Sequence, residues 1–199
     1  MVTSQPKSHP TSLLPFVSAS FCFVSQPGNS PTTLLNFVPN TWVKATWEEF
    51  TKLAYDPGYK SGKAYYHRGY LRIEMTPLGW NYAQDNSIIS TLVTLFCALK
   101  EIPVIELTNC SFRKTCLQEA QPDLAFYINS LENQPSRGNS AVDLNQFAPP
   151  ALVVAIAASS LSDDQGEKRM LYENLGCKSI GLLMSIKQKL SPLRSPMGQ

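Results

Sequence analysis

The side chains of this 199-residue chain that could do chemistry are two carboxylates and a lysine, all close to predicted strands. Asp123 follows Pro122 at the start of an apolar strand, and Glu74 ends a predicted hairpin. Lys168 comes shortly after the apolar run ALVVAIA. Carboxylates can hold a hard divalent cation, and a lysine can orient a water or stabilise negative charge that develops during a reaction.

Each of these residues also has a purely structural interpretation. Asp123 can cap the loop that enters its strand. Lys168 lies four residues after Asp164, which is the spacing of a solvent-facing helical ion pair worth only about 0.3 to 0.5 kcal/mol. Glu74 can be a solvated residue at a strand end. The spacing alone therefore leaves all three roles open.

The elements that must position these residues begin with a helix and a hairpin. The segment TWEEFTKLAY predicts a helix that Thr46 caps and that places Phe50 and Leu53 on one face. The segment KAYYHRGYLRIEM predicts a hairpin whose turn uses Gly69 at positive φ. Glu74 then lies at the end of the second hairpin strand.

The rest of the chain predicts alternating helices and strands. Residues 86–100 have apolar side chains at helical spacing, which predicts a mostly buried helix. Strands are expected at 104–107, 123–128 and 151–158, and the last is apolar enough to be a central strand. A helix from Ser162-Asp163-Asp164 should end near Leu175, where Gly176 can stop it. This order predicts an α/β fold with a mixed central sheet flanked by helices.

Composition and length set the domain boundaries that we expect. Residues 1–40 are rich in Ser, Thr, Pro, Gln and Asn and predict a flexible leader. Residues 41–186 are expected to form one domain, and 187–199 an irregular tail. A formal charge of +2 identifies no partner by itself. No apolar run is long enough to span a bilayer, so an integral membrane protein is not expected.

The cysteines suggest a compartment. Five cysteines, an odd number without a CxxC pair, do not predict a zinc site or a disulfide framework. This pattern fits a reducing cytoplasm, which is the location we expect.

Several fragments are close to one known family. They are YYHRGYLRIEMTPLG, EAQPDLAFYI, VDLNQFAPPALVV and SSLSDDQGEKRMLYENLG, within a region from about Trp42 to Gly176. The chain resembles the putative restriction endonuclease family of the PD-(D/E)XK nuclease superfamily. The resemblance implies a restriction-endonuclease-like fold that cuts DNA with Mg²⁺ or Mn²⁺. It also implies that Asp123 is the first metal ligand and that Lys168 is the catalytic lysine, which orients or polarises the attacking water and stabilises the phosphate in the transition state.

The chain departs from the family pattern at three places. Ala155 stands where the second acidic metal ligand is expected, and Glu74 is the best local substitute. The segment Trp80-Asn81-Tyr82 replaces a region that often has a histidine, which removes another potential polar group. The C-terminal sequence lacks the usual aromatic strand, although residues 180–186 can still form a strand. A missing edge strand would leave sheet backbone groups unpaired.

Three hypotheses follow from the residues and the resemblance together. The first is a DNA endonuclease whose metal-dependent cleavage is impaired by Ala155. The second is an inactive DNA-binding or regulatory module with the same fold, in which Arg113, Lys114 and Lys168 contact phosphates. The third is a decayed, poorly folded product without function. A homodimer is a further expectation.

Overall fold

The computed structural model describes residues 37–75, 79–129, 134–135, 137–157 and 164–184. Nearly all of the predicted leader (1–40), the whole tail (187–199), and the helix-start residues Ser162 and Asp163 lie outside these ranges. The proposed domain boundaries therefore stay predictions.

The described residues form three α-helices and ten strands. The helices are α1 (Trp47–Ala54), α2 (Trp80–Leu99) and α3 (Arg169–Leu175), with a 3₁₀ turn at Pro57–Tyr59 and a π-helical turn at Asp164–Lys168 before α3. The strands are β1 (Val43–Lys44), β2 (Lys63–His67), β3 (Tyr70–Glu74), β4 (Val104–Thr108), β5 (Phe112–Lys114), β6 (Gln118–Ala120), β7 (Leu124–Ile128), β8 (Val142–Asp143), β9 (Leu152–Ala157) and β10 (Ser179–Met184).

These strands are divided between two mixed sheets. One has the order β1-β3-β2-β6-β5-β8, and the other has the order β10-β9-β7-β4. In the second sheet, β10 is parallel to β9, whereas β7 is antiparallel to both β9 and β4. The predicted mixed α/β class is confirmed, with two sheets in place of one central sheet.

Local sequence explains the first helix and the hairpin. Thr46 accepts a hydrogen bond from the backbone of Glu49, and the Glu49 carboxylate accepts one from the Thr46 backbone, which makes a capping box. In the hairpin turn, Arg68 and Gly69 both have positive φ, as a two-residue type I′ turn requires. The resulting register pairs His67 with Tyr70 and Lys63 with Glu74.

β7 and β9 have apolar side chains on both faces, and other elements cover both faces of the four-stranded sheet. Val154 and Ile156 of β9 lie on the face covered by α2. Val153 and Ala155 lie on the opposite face, in a core cluster with Leu171 of α3 and with residues of the six-stranded sheet. The prediction that β9 is a central strand is confirmed, since it lies between β10 and β7.

The prediction for α2 is right in type and wrong in burial. The helix begins at Trp80, six residues before the predicted start, and its only fully buried residue is Cys97. The apolar side chains that defined its predicted core face are exposed to solvent: Ile88, Leu92, Leu95, Phe96 and Leu99. Periodicity shows which apolar residues of a helix share a side, but it does not show which side of the helix contacts the sheet. Here Ile89, Val93 and Cys97 face inward.

The altered C-terminal sequence still makes a strand. Residues Ser179–Met184 pair in parallel with β9 along its full length. The four-stranded sheet therefore has its fourth strand. Gly176, which we predicted to end the preceding helix, does so at φ 95°.

The cysteines depart from the sequence expectation at one position. Cys97, Cys110 and Cys177 are free thiols, but Cys116 is disulfide-bonded, whereas the cysteine count did not predict a disulfide framework.

Across the described ranges, no helix is both long and apolar enough to cross a bilayer.

Candidate active site

Asp123 lies at the junction between β7 and β9. Its backbone N–H donates to the Val154 carbonyl at 3.0 Å, and its Oδ2 accepts the Ile156 backbone N–H at 2.6 Å. Both the backbone and the carboxylate of Asp123 are therefore bound by β9, and the residue is only 4% exposed. This arrangement goes beyond a loop cap because it ties the carboxylate to the central strand.

The second carboxylate oxygen of Asp123 has two side-chain partners. Lys63 Nζ forms an ion pair with Oδ1, and the Tyr82 hydroxyl donates a hydrogen bond to the same atom. Lys63 also lies 5.3 Å from the centre of the Tyr82 ring, a cation–π distance. Burial raises the pKa of the Tyr82 phenol, and its bond to the Asp123 carboxylate raises it further. Tyr82 therefore stays protonated and acts as a donor.

Glu74 is bound by two cations. Its Oε1 accepts from Lys168 Nζ at 2.7 Å and from the Arg72 guanidinium at 2.9 Å. Burial alone would raise the Glu74 pKa, but the charges of Lys168, Arg72 and Lys63 outweigh burial and lower it. The carboxylate is therefore ionised at neutral pH. The alternative of a solvated strand residue is wrong, since only 13% of the Glu74 side chain is exposed.

Lys168 is equally enclosed. It is 3% exposed, and its Nζ lies 4.8 Å from the centre of the Tyr65 ring, in addition to its bond to Glu74. The interpretation of Lys168 as a solvent-facing helical ion-pair residue is therefore wrong. A lysine this deeply buried needs the Glu74 charge as compensation.

Lys63 connects the two carboxylates. It is the cross-strand partner of Glu74 in the hairpin, and its charge lowers the Glu74 pKa while its Nζ pairs with Asp123. We call Lys63, Arg72, Glu74, Asp123 and Lys168 the acid–lysine cluster. The structure thus brings together all three residues that the sequence singled out. The cluster has three positive and two negative charges when all its members are ionised.

Ala155 lies beside Asp123, because the residues before and after it in β9 both bond to Asp123. The Val154 carbonyl accepts from the Asp123 backbone N–H, and the Ile156 backbone N–H donates to Asp123 Oδ2. Ala155 also lies in the same core cluster as Tyr172, whose pKa is raised by burial and by the nearby Asp123 and Glu74 carboxylates. A longer acidic side chain at position 155 would therefore lie close to the Asp123 carboxylate.

The residues present do not fit a divalent metal ion as they stand. Throughout the ranges that the structure describes, no three or more Asp, Glu, His or Cys side chains are grouped so as to hold a metal. The two carboxylates of the cluster are both paired with cations, and position 155 contributes only a methyl group. A divalent cation is electrostatically disfavoured at this cluster, because the cluster already has more positive than negative charges.

Sequence reasoning missed three residues of this site, Lys63, Arg72 and Tyr82. Lys63 could have been found from the hairpin turn, because pairing His67 with Tyr70 fixes the pairing of Lys63 with Glu74. The expectation that Trp80-Asn81-Tyr82 removes a polar group is wrong, since Tyr82 donates to Asp123. Nothing in the local sequence indicates that contact, because it depends on how α2 lies on the sheet.

The basic residues proposed for phosphate binding have partners within the chain. The Arg113 guanidinium bonds to the Glu119 carboxylate and to the Tyr55 hydroxyl. Lys114 Nζ donates to the Asn174 carbonyl at 2.7 Å. Together with the buried Lys168, these contacts give little support to a phosphate-binding surface made of those residues.

Comparison with known proteins identifies a family and a similar solved structure. A family model described as putative restriction endonuclease (Uma2) matches residues 47–199. A search of curated protein sequences returned no match. Among solved structures, the chain is similar to one from Anabaena variabilis described as a putative nuclease belonging to DUF820, at 16% sequence identity and a TM-score of 0.45. The similarity covers 70% of this chain and 73% of that one.

Proposed function

Because this chain belongs to the putative restriction endonuclease family, we propose that its site is built for metal-dependent hydrolysis of DNA phosphodiester bonds and is impaired in this chain. The observation that carries the proposal is Ala155 between Val154 and Ile156, the two residues of β9 that bond to Asp123. Asp123 keeps a strand-held position suited to a metal ligand, while the neighbouring position supplies no oxygen. The strands that hold the site are thus present, but the site lacks one of the acidic side chains that a metal ion needs.

Phosphodiester hydrolysis requires stabilisation of negative charge on the phosphate and a positioned water. A divalent ion supplies both when it is bound. In this chain, Lys168 and Lys63 are the positive groups next to the carboxylates, and their ion pairs hold them in place. Charge stabilisation by lysine alone is expected to leave cleavage very slow. Loss of one acid that holds the metal costs roughly a hundredfold or more in rate.

The purified protein should therefore cut supercoiled plasmid very slowly or not at all in Mg²⁺ or Mn²⁺. The measurement is plasmid nicking and linearisation over time, with and without EDTA. Rapid cleavage at nanomolar protein that EDTA abolishes would show that another acid replaces the missing ligand, and would contradict the proposed impairment.

Any residual cleavage should depend on Asp123. Asp123→Asn keeps the shape of the side chain but removes the anionic oxygen, so it should abolish metal-dependent nicking. Asp143→Asn is a matched control, since the Asp143 carboxylate, at the end of β8, accepts from Asn145 and Gln146, neither of which belongs to the cluster. Equal residual activity in wild type and Asp123→Asn would mean that the site assignment is wrong.

One observation favours a second candidate, an inactive module that binds DNA. The acid–lysine cluster is internally paired, so it can persist without a metal. Such a module should bind duplex DNA with an affinity that Mg²⁺ does not change, and it should show no cleavage at any protein concentration. Fluorescence anisotropy of a labelled duplex, measured with Mg²⁺ and with EDTA, distinguishes the candidates.

A further inference from the structure

Helix α2 exposes an apolar stripe on its outer side. Five large side chains form it, and each is about half exposed or more: Ile88 (47%), Leu92 (61%), Leu95 (52%), Phe96 (57%) and Leu99 (75%). The inner side of the same helix packs on the four-stranded sheet through Tyr82, Ile89 and Val93. Contiguous exposed patches of this kind mark interaction sites in proteins that do not aggregate. We call these five residues the α2 stripe.

The spacing of the stripe is that of a helix–helix seam. Ile88, Leu92, Leu95 and Leu99 are separated by four, three and four residues, which is the a/d pattern of two helices packed side by side. This pattern is self-complementary under a twofold axis. If two copies of α2 run antiparallel, Ile88 of each copy lies opposite Leu99 of the other, and Leu92 lies opposite Leu95.

We propose that the α2 stripe is the interface of a homodimer in which two copies of α2 pack antiparallel. An interface that uses the same patch on both subunits is the commonest kind in soluble oligomers. It also explains why the five apolar side chains of the α2 stripe are not directed toward the core of their own chain.

The charges of α2 select the antiparallel orientation. Between Asp85 and Lys100 the helix has no charged residue, and these two lie at opposite ends of the stripe. Antiparallel packing brings Asp85 of each copy toward Lys100 of the other, whereas parallel packing would bring like charges together. Asp85 is partly exposed and Lys100 is exposed, so both residues can contact a second copy.

The direct test is the mass of the full-length protein in solution. Wild type should sediment at about twice the monomer mass of 22.1 kDa and dissociate on dilution. Leu92→Glu/Leu95→Glu should be monomeric at every concentration, because it places charges in the centre of the seam. Ser87→Glu is the matched control: Ser87 is exposed on the same helix but points away from the stripe, so its dimer should persist.

Charge reversal tests the orientation. Asp85→Lys and Lys100→Asp should each weaken the dimer, and the combination should restore it, since only antiparallel packing makes the two positions neighbours. Restoration supports the proposed geometry. Additive weakening by the two reversals would contradict it.

Three other results would overturn the proposal. The wild type could be monomeric at every concentration, or the dimer could survive Leu92→Glu/Leu95→Glu. The third result is that Leu92→Glu/Leu95→Glu melts at a lower temperature than wild type, and that this difference does not change with protein concentration. This last result would mean that another part of the same chain, residues 1–36 or 185–199, covers the stripe.

Discussion

Ala155→Glu should turn the impaired site into one that binds Mg²⁺, with metal-dependent stabilisation and a gain in DNA cleavage of roughly a hundredfold. The reason is the position of residue 155 in β9, between Val154 and Ile156, which both bond to Asp123, so the introduced carboxylate lies beside Asp123. The substitution also changes the charge balance of the acid–lysine cluster from an excess of positive charge to neutrality. Both changes favour a divalent cation.

Without metal, the same substitution should destabilise the fold. Position 155 is 4% exposed within an apolar core cluster, so the new carboxylate loses most of its hydration. Burial should raise its pKa, although Lys63 and Lys168 are near enough to offset part of that rise. The variant should therefore melt below wild type in EDTA and recover in Mg²⁺.

The measurement is the melting temperature in EDTA and in a Mg²⁺ series, with plasmid cleavage under the same conditions. Mg²⁺ at about one hundred times its dissociation constant adds about 2.7 kcal/mol of stability. In a protein of this size, that corresponds to a rise of roughly 5 to 10 °C. Wild type should show no such rise.

Two controls isolate the cause of the rescue. Ala125→Glu buries a carboxylate in the same core cluster, but at a position of β7 that pairs with Val153. It should therefore destabilise the fold without rescue by Mg²⁺. Ala155→Glu/Asp123→Asn should lose the rescue that Ala155→Glu alone shows. If Ala155→Glu has neither metal-dependent stabilisation nor gained cleavage, the damage to the site extends beyond position 155.

The sequence predicts best the parts of this fold that local chemistry determines. The capping box at Thr46, the turn at Arg68-Gly69 and the helix end at Gly176 were all readable, because each depends on residues within a few positions. The apolar run in β9 also predicted a central strand correctly. The short strands β1, β5, β6 and β8 were missed, since two or three residues give no usable period.

The candidate site shows the same division between local and long-range information. Family resemblance pointed to Asp123 and Lys168, and Glu74 was the best local substitute for the missing acid; the structure brings the three together. The ion pair of Lys63 with Asp123 spans sixty positions, and the hydrogen bond of Tyr82 spans forty-one. Such contacts depend on how the hairpin and α2 pack against the sheet, which no local pattern encodes.

The burial of α2 was predicted wrongly for a related reason. An apolar stripe shows which residues of a helix share a face, but it does not show what that face meets. The inner face of α2 has Asn86 and Ser90 between its apolar residues and looked less like a core face than the α2 stripe does. The buried side of α2 is the side that lies against the four-stranded sheet, and the sequence pattern of the helix does not show which side that is.

Glu74→Gln should cost about 3 kcal/mol of folding stability at neutral pH, because it removes the negative charge that the buried cations Lys168 and Arg72 both contact. The corresponding fall in melting temperature is roughly 6 to 12 °C. The glutamine carbonyl can still accept a hydrogen bond, so the loss reports mainly the charge. Glu173→Gln is the matched control, since it removes an exposed i,i+4 pair with Arg169 and should cost less than about 0.5 kcal/mol.

The dependence of this loss on pH distinguishes the charge effect from a packing effect. The Glu74 pKa is lower in the folded protein than its ordinary value of 4.5, so its ionised form stabilises the fold. That contribution is fully present above the unfolded-state pKa and is lost as pH falls through the folded-state pKa. The difference in urea midpoint between wild type and Glu74→Gln should therefore be largest at pH 7 and should shrink progressively below about pH 4.5. A difference that is the same at pH 7 and in acid would mean that Glu74 acts through its shape, and that its charge does not hold the lysine in the site.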